Sequence, residues 1–125
     1  MNKIKISKGK YFYFLLIIFI ASAFNYFSGF RGIFPIDSFL IFDAGYKVLN
    51  DFHPFRDYWS ITGPFLDYIQ YLVFKIFGVS WASFVLHATL INVFLTTVTF
   101  NFFSKLGINK NFSLLYSVSI AILGY

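Results

Sequence analysis

The sequence predicts an all-α integral membrane protein: a transmembrane helix, an outer loop with two interfacial helices, a second transmembrane helix and an incomplete third. Three observations predict it. Hydrophobic residues make up 58% of the 125 positions and charged residues only 12%, against roughly a quarter charged in an ordinary soluble domain. Two long apolar runs, 11–28 and 81–103, carry no Asp, Glu, Lys or Arg. All five acidic residues (Asp37, Asp43, Asp51, Asp57 and Asp67) lie in one stretch between those runs. Mean hydropathy is +0.71.

Residues 1–10 are a basic tail, with Lys3, Lys5, Lys8 and Lys10 directly ahead of the first apolar run. The positive-inside rule places them in the cytoplasm. The formal charge of +5 therefore reads as a topology signal, with some attraction to anionic lipid, and predicts no nucleic-acid partner. In the first run, YFYFLLIIFIASAFNYFS, eighteen helical residues reach about 27 Å, close to a hydrocarbon core of about 30 Å. A cleaved signal peptide is the rival reading, because Ala21-Ser22-Ala23 has the small-x-small pattern. Bulky Phe24, Tyr26 and Phe27 continue the run past that point and favour a span. On either reading the following segment, 29–80, lies outside the cytoplasm.

Residues 29–36, GFRGIFPI, break the helix with two glycines and a proline. Asp37-Ser38 then stands where an N-cap would, ahead of Phe39, Phe42, Tyr46 and Leu49 at helical spacing. These predict an amphipathic helix over 38–49, lying on the membrane surface. Asp43 and Lys47 form an i, i+4 pair in the favourable order. Residues 50–63, NDFHPFRDYWSITG, form a polar, aromatic loop.

Pro64 suits the first position of a helix over 64–78, and Gly78 suits its end. Fifteen residues reach only about 22 Å, and Asp67, Gln70 and Lys75 make spanning unfavourable. Charge supplies a second test. Lys105 and Lys110 lie in the short turn 104–111 and belong in the cytoplasm, which requires an even number of preceding spans. Counting 11–28 and 81–103 gives two, so 64–78 is read as a second interfacial or re-entrant helix.

Residues 81–103, WASFVLHATLINVFLTTVTFNFF, are long enough to cross with some tilt. Ser83, Ala88, Thr89, Thr96, Thr97 and Thr99 suit close packing against other helices. A third apolar run begins at Phe112, and its 14 residues to Tyr125 are too few to span, so the chain is read as truncated. There is no cysteine, and hence no disulfide framework or thiol nucleophile. No Gly-rich phosphate loop, His/Cys metal spacing or internal repeat is present. The twenty phenylalanines carry no functional reading.

Residues 37–86 contain an ordered series: Asp37, Val48-Leu49, Asn50, Pro54-Phe55-Arg56-Asp57, Gly63-Pro64-Phe65 and Phe74-Lys75-Ile76-Phe77-Gly78. It resembles the first outer loop of the type C membrane glycosyltransferases, nearest to the protein O-mannosyltransferase and lipid A aminoarabinose transferase-like branch. In that family an acidic residue opens an interfacial helix. A Leu-Leu pair, a short turn, a Pro-Tyr-x-Asp-like step, a Pro-Pro-Leu helix start and a Phe-Lys-Leu-Phe-Gly ending follow. The sequence departs from the pattern at Ser38, where a second acid is usual, and at Gly63-Pro64, where basic-Pro-Pro is usual. The resemblance implies a fold of many transmembrane helices, a polyprenyl-phosphate sugar as donor, and Asp37 as general base toward an acceptor hydroxyl. A divalent metal requirement and the oligomeric state are left open. The implied setting is a bacterial inner (plasma) membrane, with the N-terminus cytoplasmic and 29–80 outside.

Each candidate also has a structural reading. Asp37 suits a helix cap as well as a base. Arg56 and Asp57 are candidates for substrate contact and equally for pairing with each other in the loop. Tyr58 and Trp59, with Phe52 and Phe55, could stack a sugar or form an interfacial aromatic belt. Asp67 sits in the first turn of its helix, where the dipole favours a carboxylate. His87 reads as a group hydrogen-bonding between helices. A small non-enzymatic membrane subunit or lipid-linked sugar translocator is the alternative function.

Overall fold

The computed structural model describes the backbone of residues 8–31 and 35–123, and the side chains of 11–31 and 38–123. Among these residues there are five helices: α1 (Lys8–Gly29), α2 (Pro35–Leu49), α3 (Pro64–Phe77), α4 (Trp81–Lys105) and α5 (Lys110–Leu123). Within α1 and α4, Tyr11–Gly29 and Trp81–Lys105 are long and apolar enough to cross a membrane. Only 22% and 39% of their apolar windows are buried. A helix at the core of a soluble protein hides most of such a surface, so these two look outward.

Several helices run beyond the apolar segments that announce them. α1 opens at Lys8, inside the basic tail, and α5 opens at Lys110. The N-cap assignment of Asp37-Ser38 is corrected: α2 begins at Pro35, so Asp37 is its third residue and Ser38 its fourth. Proline has a preset φ and no N–H to lose, which suits the first helical position. The Asp37 side chain itself lies outside the described residues. At α3 the proline rule holds as expected, with Pro64 opening the helix behind Gly63. Gly78 closes it at φ 82°, in the left-handed region, where its N–H donates to the Phe74 carbonyl (2.8 Å).

The chain divides into two compact units, Tyr26–Ala88 and a second made of Met1–Asn25 with Thr89–Tyr125. In the second unit, Asn92 Nδ2 donates to the Ala121 carbonyl (2.9 Å) and ties α4 to α5. Thr96, Ser113 and Ser117 are buried, and Ser117 returns its hydroxyl to the Ser113 carbonyl of its own helix (2.6 Å). Tyr13 donates to Asn111 Oδ1 (2.8 Å) and stacks on Phe100.

In the Tyr26–Ala88 unit, α2 packs on α3. The face of α2 turned toward protein is a different one from the stripe of Phe39, Phe42, Tyr46 and Leu49. Ala44, Gly45 and Val48 are buried, while Phe39 and Tyr46 are exposed. Small residues win this face because Gly45 lies directly against the Gln70 side chain. Phe42 turns to an aromatic cluster, meeting Phe74 edge-on at 4.9 Å and lying near Trp81 and Phe84. Trp81 Nε1 donates to the Gly29 carbonyl (2.7 Å).

Candidate functional site

α3 is built inside out. Its buried residues are Asp67, Gln70, Val73 and Phe74, whereas Phe65, Leu72 and Ile76 are exposed. At 100° per residue, 65, 72 and 76 share one narrow stripe and 67, 70 and 74 share the opposite side. Of the polar residues that argue against spanning, Asp67 and Gln70 thus face α2 and the loop, while Lys75 is exposed and donates to the Tyr71 hydroxyl (3.0 Å).

Asp67 is fully buried. Tyr58 Oη donates to its Oδ2 (2.9 Å) and Thr62 Oγ1 donates to its Oδ1 (3.4 Å), so the carboxyl pins the second half of the loop to the start of α3. Burial, followed by the hydrogen bond to Asp67, pushes the Tyr58 phenol well above its ordinary pKa. Tyr58 therefore serves as a donor rather than as a base. One turn on, Gln70 Oε1 meets His87 Nδ1 at 2.5 Å. An amide oxygen only accepts, so the imidazole carries its hydrogen on Nδ1. Gln70 Nε2 and His87 Nε2 are buried without a partner.

Replacing Asp67 by alanine leaves the Thr62 hydroxyl without its acceptor and the Tyr58 hydroxyl with only the longer bond to the Ala44 carbonyl (3.5 Å). The expected cost is about 1–3 kcal/mol in thermal unfolding of the detergent-solubilised protein. Tyr58→Phe is expected to be non-additive with it, since the two share one hydrogen bond. Additive losses would show that the bond contributes nothing.

The loop is held by a second anchor. Asp57 Oδ2 accepts from the His53 N–H (2.7 Å) and from Arg56 Nε (2.8 Å), and Arg56 Nη2 reaches both that oxygen (2.7 Å) and the Asp51 carbonyl (2.7 Å). The Arg56 hydrogen bond, then that from the His53 backbone, holds the Asp57 carboxyl below its ordinary pKa. Asp51 and Phe55 adopt positive φ (63° and 64°), an uncommon backbone for non-glycine residues. Arg56 and Asp57 thus hold the loop through each other.

Trp59 parts company with Tyr58. It is 80% exposed and meets Phe55 edge to face at 5.3 Å. Beside it lies a recess of about 60 Å³, lined by Leu40, Asp43, Ala44 and Lys47 of α2 and by residues 58–62 of the loop. Lys47 Nζ pairs with Asp43 Oδ2 (2.7 Å) and lies 5.1 Å from the Tyr58 ring centroid. Ser60 Oγ is buried without a hydrogen-bond partner.

No family model, curated protein or solved structure matches the chain. Among the described residues, no group of three His, Asp or Glu side chains is placed to hold a metal ion. Of the five residues singled out from sequence, the structure brings Arg56 onto Asp57, Tyr58 onto Asp67, and Trp59 to the rim of the recess. Sequence reasoning missed the Asp67–Tyr58–Thr62 group, the Ser60 hydroxyl and the close approach at Gly45. The available signal was the position of Asp67 and Gln70 opposite Phe65, Leu72 and Ile76 on one helix.

Proposed function

We propose that this chain supplies the base-bearing outer segment of a membrane glycosyltransferase that moves sugar from a polyprenyl-phosphate donor to an outward-facing acceptor. The observation that carries the reading is the coincidence of motif and architecture. The ordered series from Asp37 to Gly78 coincides with a helix–loop–helix, α2 to α3, set in sequence between two helices long enough to cross a membrane. The inside-out α3 supports an interfacial position, with Phe65, Leu72 and Ile76 toward lipid and Asp67 and Gln70 toward protein. In this reading the membrane is a bacterial inner membrane, the N-terminus is cytoplasmic and the α2–α3 segment is outside.

The reaction is an inverting displacement. The acceptor oxygen attacks the anomeric carbon, its proton passes to the Asp37 carboxylate, and the anomeric C–O bond to phosphate breaks to release polyprenyl phosphate. A carboxylate suits the first task because it accepts the proton as the new bond forms. The departing phosphate needs cationic or hydrogen-bonding support, and Arg56 is already engaged by Asp57 and Asp51. That engagement favours a second reading, a non-enzymatic subunit or lipid-linked sugar translocator whose loop is purely structural.

Membranes carrying the native gene product, incubated with polyprenyl-phosphate sugars labelled in the sugar, separate the two. A transferase releases polyprenyl phosphate and passes label to an acceptor, with no use of nucleotide sugars. Movement of intact donor between leaflets without its consumption would establish the translocator instead.

A further inference from the structure

The recess beside Trp59 has the parts of a binding site, none of them required by the packing of α2 on α3. Trp59 offers a large, exposed aromatic face. Asp43 and Lys47 on the helix side pair with each other (2.7 Å), and their partial exposure leaves further acceptor and donor positions reachable from the recess. Ser60 also lines the recess, and its Oγ is buried without a hydrogen-bond partner. A buried hydroxyl without a partner is uncommon in folded proteins, and this one belongs to a residue that lines open space. The space of about 60 Å³ takes several water molecules or a hydroxymethyl group, but not a whole ring.

An aromatic platform beside a small polar recess suits a ligand with an apolar face and a hydroxylated edge. We infer that this recess is a sugar subsite: a pyranose ring lies over Trp59, its hydroxymethyl or neighbouring hydroxyl enters the recess toward Ser60, and Asp43 and Lys47 hold a second hydroxyl. The inference rests on the transferase reading for the source of the sugar, either the lipid-linked donor or an acceptor glycan. It replaces Arg56 and Asp57 as sugar contacts with Asp43, Lys47 and Ser60. Tyr58 keeps a structural part, since its hydroxyl is committed to Asp67.

Trp59 and Trp81 are the tryptophans of these 125 residues, so in protein labelled with 5-fluorotryptophan in detergent micelles their fluorine resonances are assigned by their loss in Trp59→Phe and Trp81→Phe. Titration with methyl α-mannopyranoside, methyl α-glucopyranoside and methyl α-arabinopyranoside is expected to shift the Trp59 resonance saturably for at least one of them and leave Trp81 in place. Asp43→Asn and Ser60→Ala are expected to weaken that response about 10-fold each, one good hydrogen bond. Both positions lie clear of the Asp67 anchor, so the fold survives the changes. A short-chain isoprenyl phosphate mannoside distinguishes the sources: tighter binding than the methyl glycoside assigns a donor subsite, and equal binding an acceptor subsite.

No Trp59 response to any glycoside, an equal response to glycerol, or unchanged affinity in both variants would overturn the inference. Glycoside binding without sugar transfer leaves the subsite standing and removes the transferase. Transfer that proceeds unaltered in Trp59→Ala does the reverse.

Discussion

Asp37→Asn is expected to lower sugar transfer by about 10²–10⁴-fold, the usual contribution of a positioned general base, with little change in stability. The distinction matters because a carboxylate near the start of a helix has a structural use too. With α2 beginning at Pro35, Asp37 is its third residue, and a carboxylate in the first turn of a helix is in general favoured by the helix dipole. That interaction contributes about 0.3–1 kcal/mol at an exposed site. Asparagine keeps the size and loses the charge, so the structural loss is confined to that range. An unfolding temperature close to that of the native protein, combined with a collapse of labelled-sugar transfer, identifies a base. Equal and small losses in both would reduce Asp37 to a helix-terminal residue and leave the reaction without its proton acceptor. Asp37→Glu adds a discriminating arm: it keeps the charge but displaces the carboxylate, so stability should hold while the rate falls.

Gly45→Leu is expected to be the most damaging single change to the α2–α3 pair. In an exposed helix, exchanging glycine for alanine stabilises by about 1 kcal/mol, because glycine has more backbone entropy to lose. At position 45 the sign reverses. A Cβ there meets Gln70 Cγ in hard overlap, comes within 2.8 Å of Gln70 Cβ and lies 3.2 Å from the Gln70 backbone carbon. A side-chain tip can turn away, whereas a neighbouring helix backbone has to move as a body. Gly45→Ala is therefore expected to destabilise despite its better helix propensity. Gly45→Leu should exceed the ordinary overpacking cost of about 1–3 kcal/mol or prevent folding of the unit. Gln70→Ala relieves the Cγ collision alone, so it should rescue Gly45→Ala only in part. Thermal unfolding of the three variants checks the order. A Gly45→Ala protein more stable than the native one would show that the helices stand further apart.

Local chemistry made some features legible in advance. Pro64 opening α3 and Gly78 closing it follow from a missing N–H and a permitted left-handed backbone. The two long apolar helices follow from composition alone, since no soluble surface is built from eighteen uncharged, mostly apolar residues in a row. Asp43 and Lys47 pair as their i, i+4 spacing requires. Pro35 opens α2 for the same reason that Pro64 opens α3.

The candidate site was legible only in pieces. Arg56 and Asp57 are adjacent charges, so their pairing was open to sequence reasoning. Their joint hold on the His53 N–H and the Asp51 carbonyl was not, because it depends on the positive-φ backbone at Asp51 and Phe55. Tyr58 and Trp59 look interchangeable in a sequence, two aromatics in one loop. The fold turns one inward to Asp67 and leaves the other 80% exposed.

Sequence by itself determined where helices form and which two are apolar enough to enter lipid, because those properties depend on residues within a turn or two of one another. The tertiary structure decided which face of α3 is inside. Periodicity separates Phe65, Leu72 and Ile76 from Asp67, Gln70 and Phe74, but it carries no sign: next to water the polar side looks out, and next to lipid it looks in. Only the packing of α2, with Gly45 against Gln70 and Tyr58 reaching Asp67, turns the polar side of α3 toward protein. That choice forms the recess beside Trp59 between α2 and the loop.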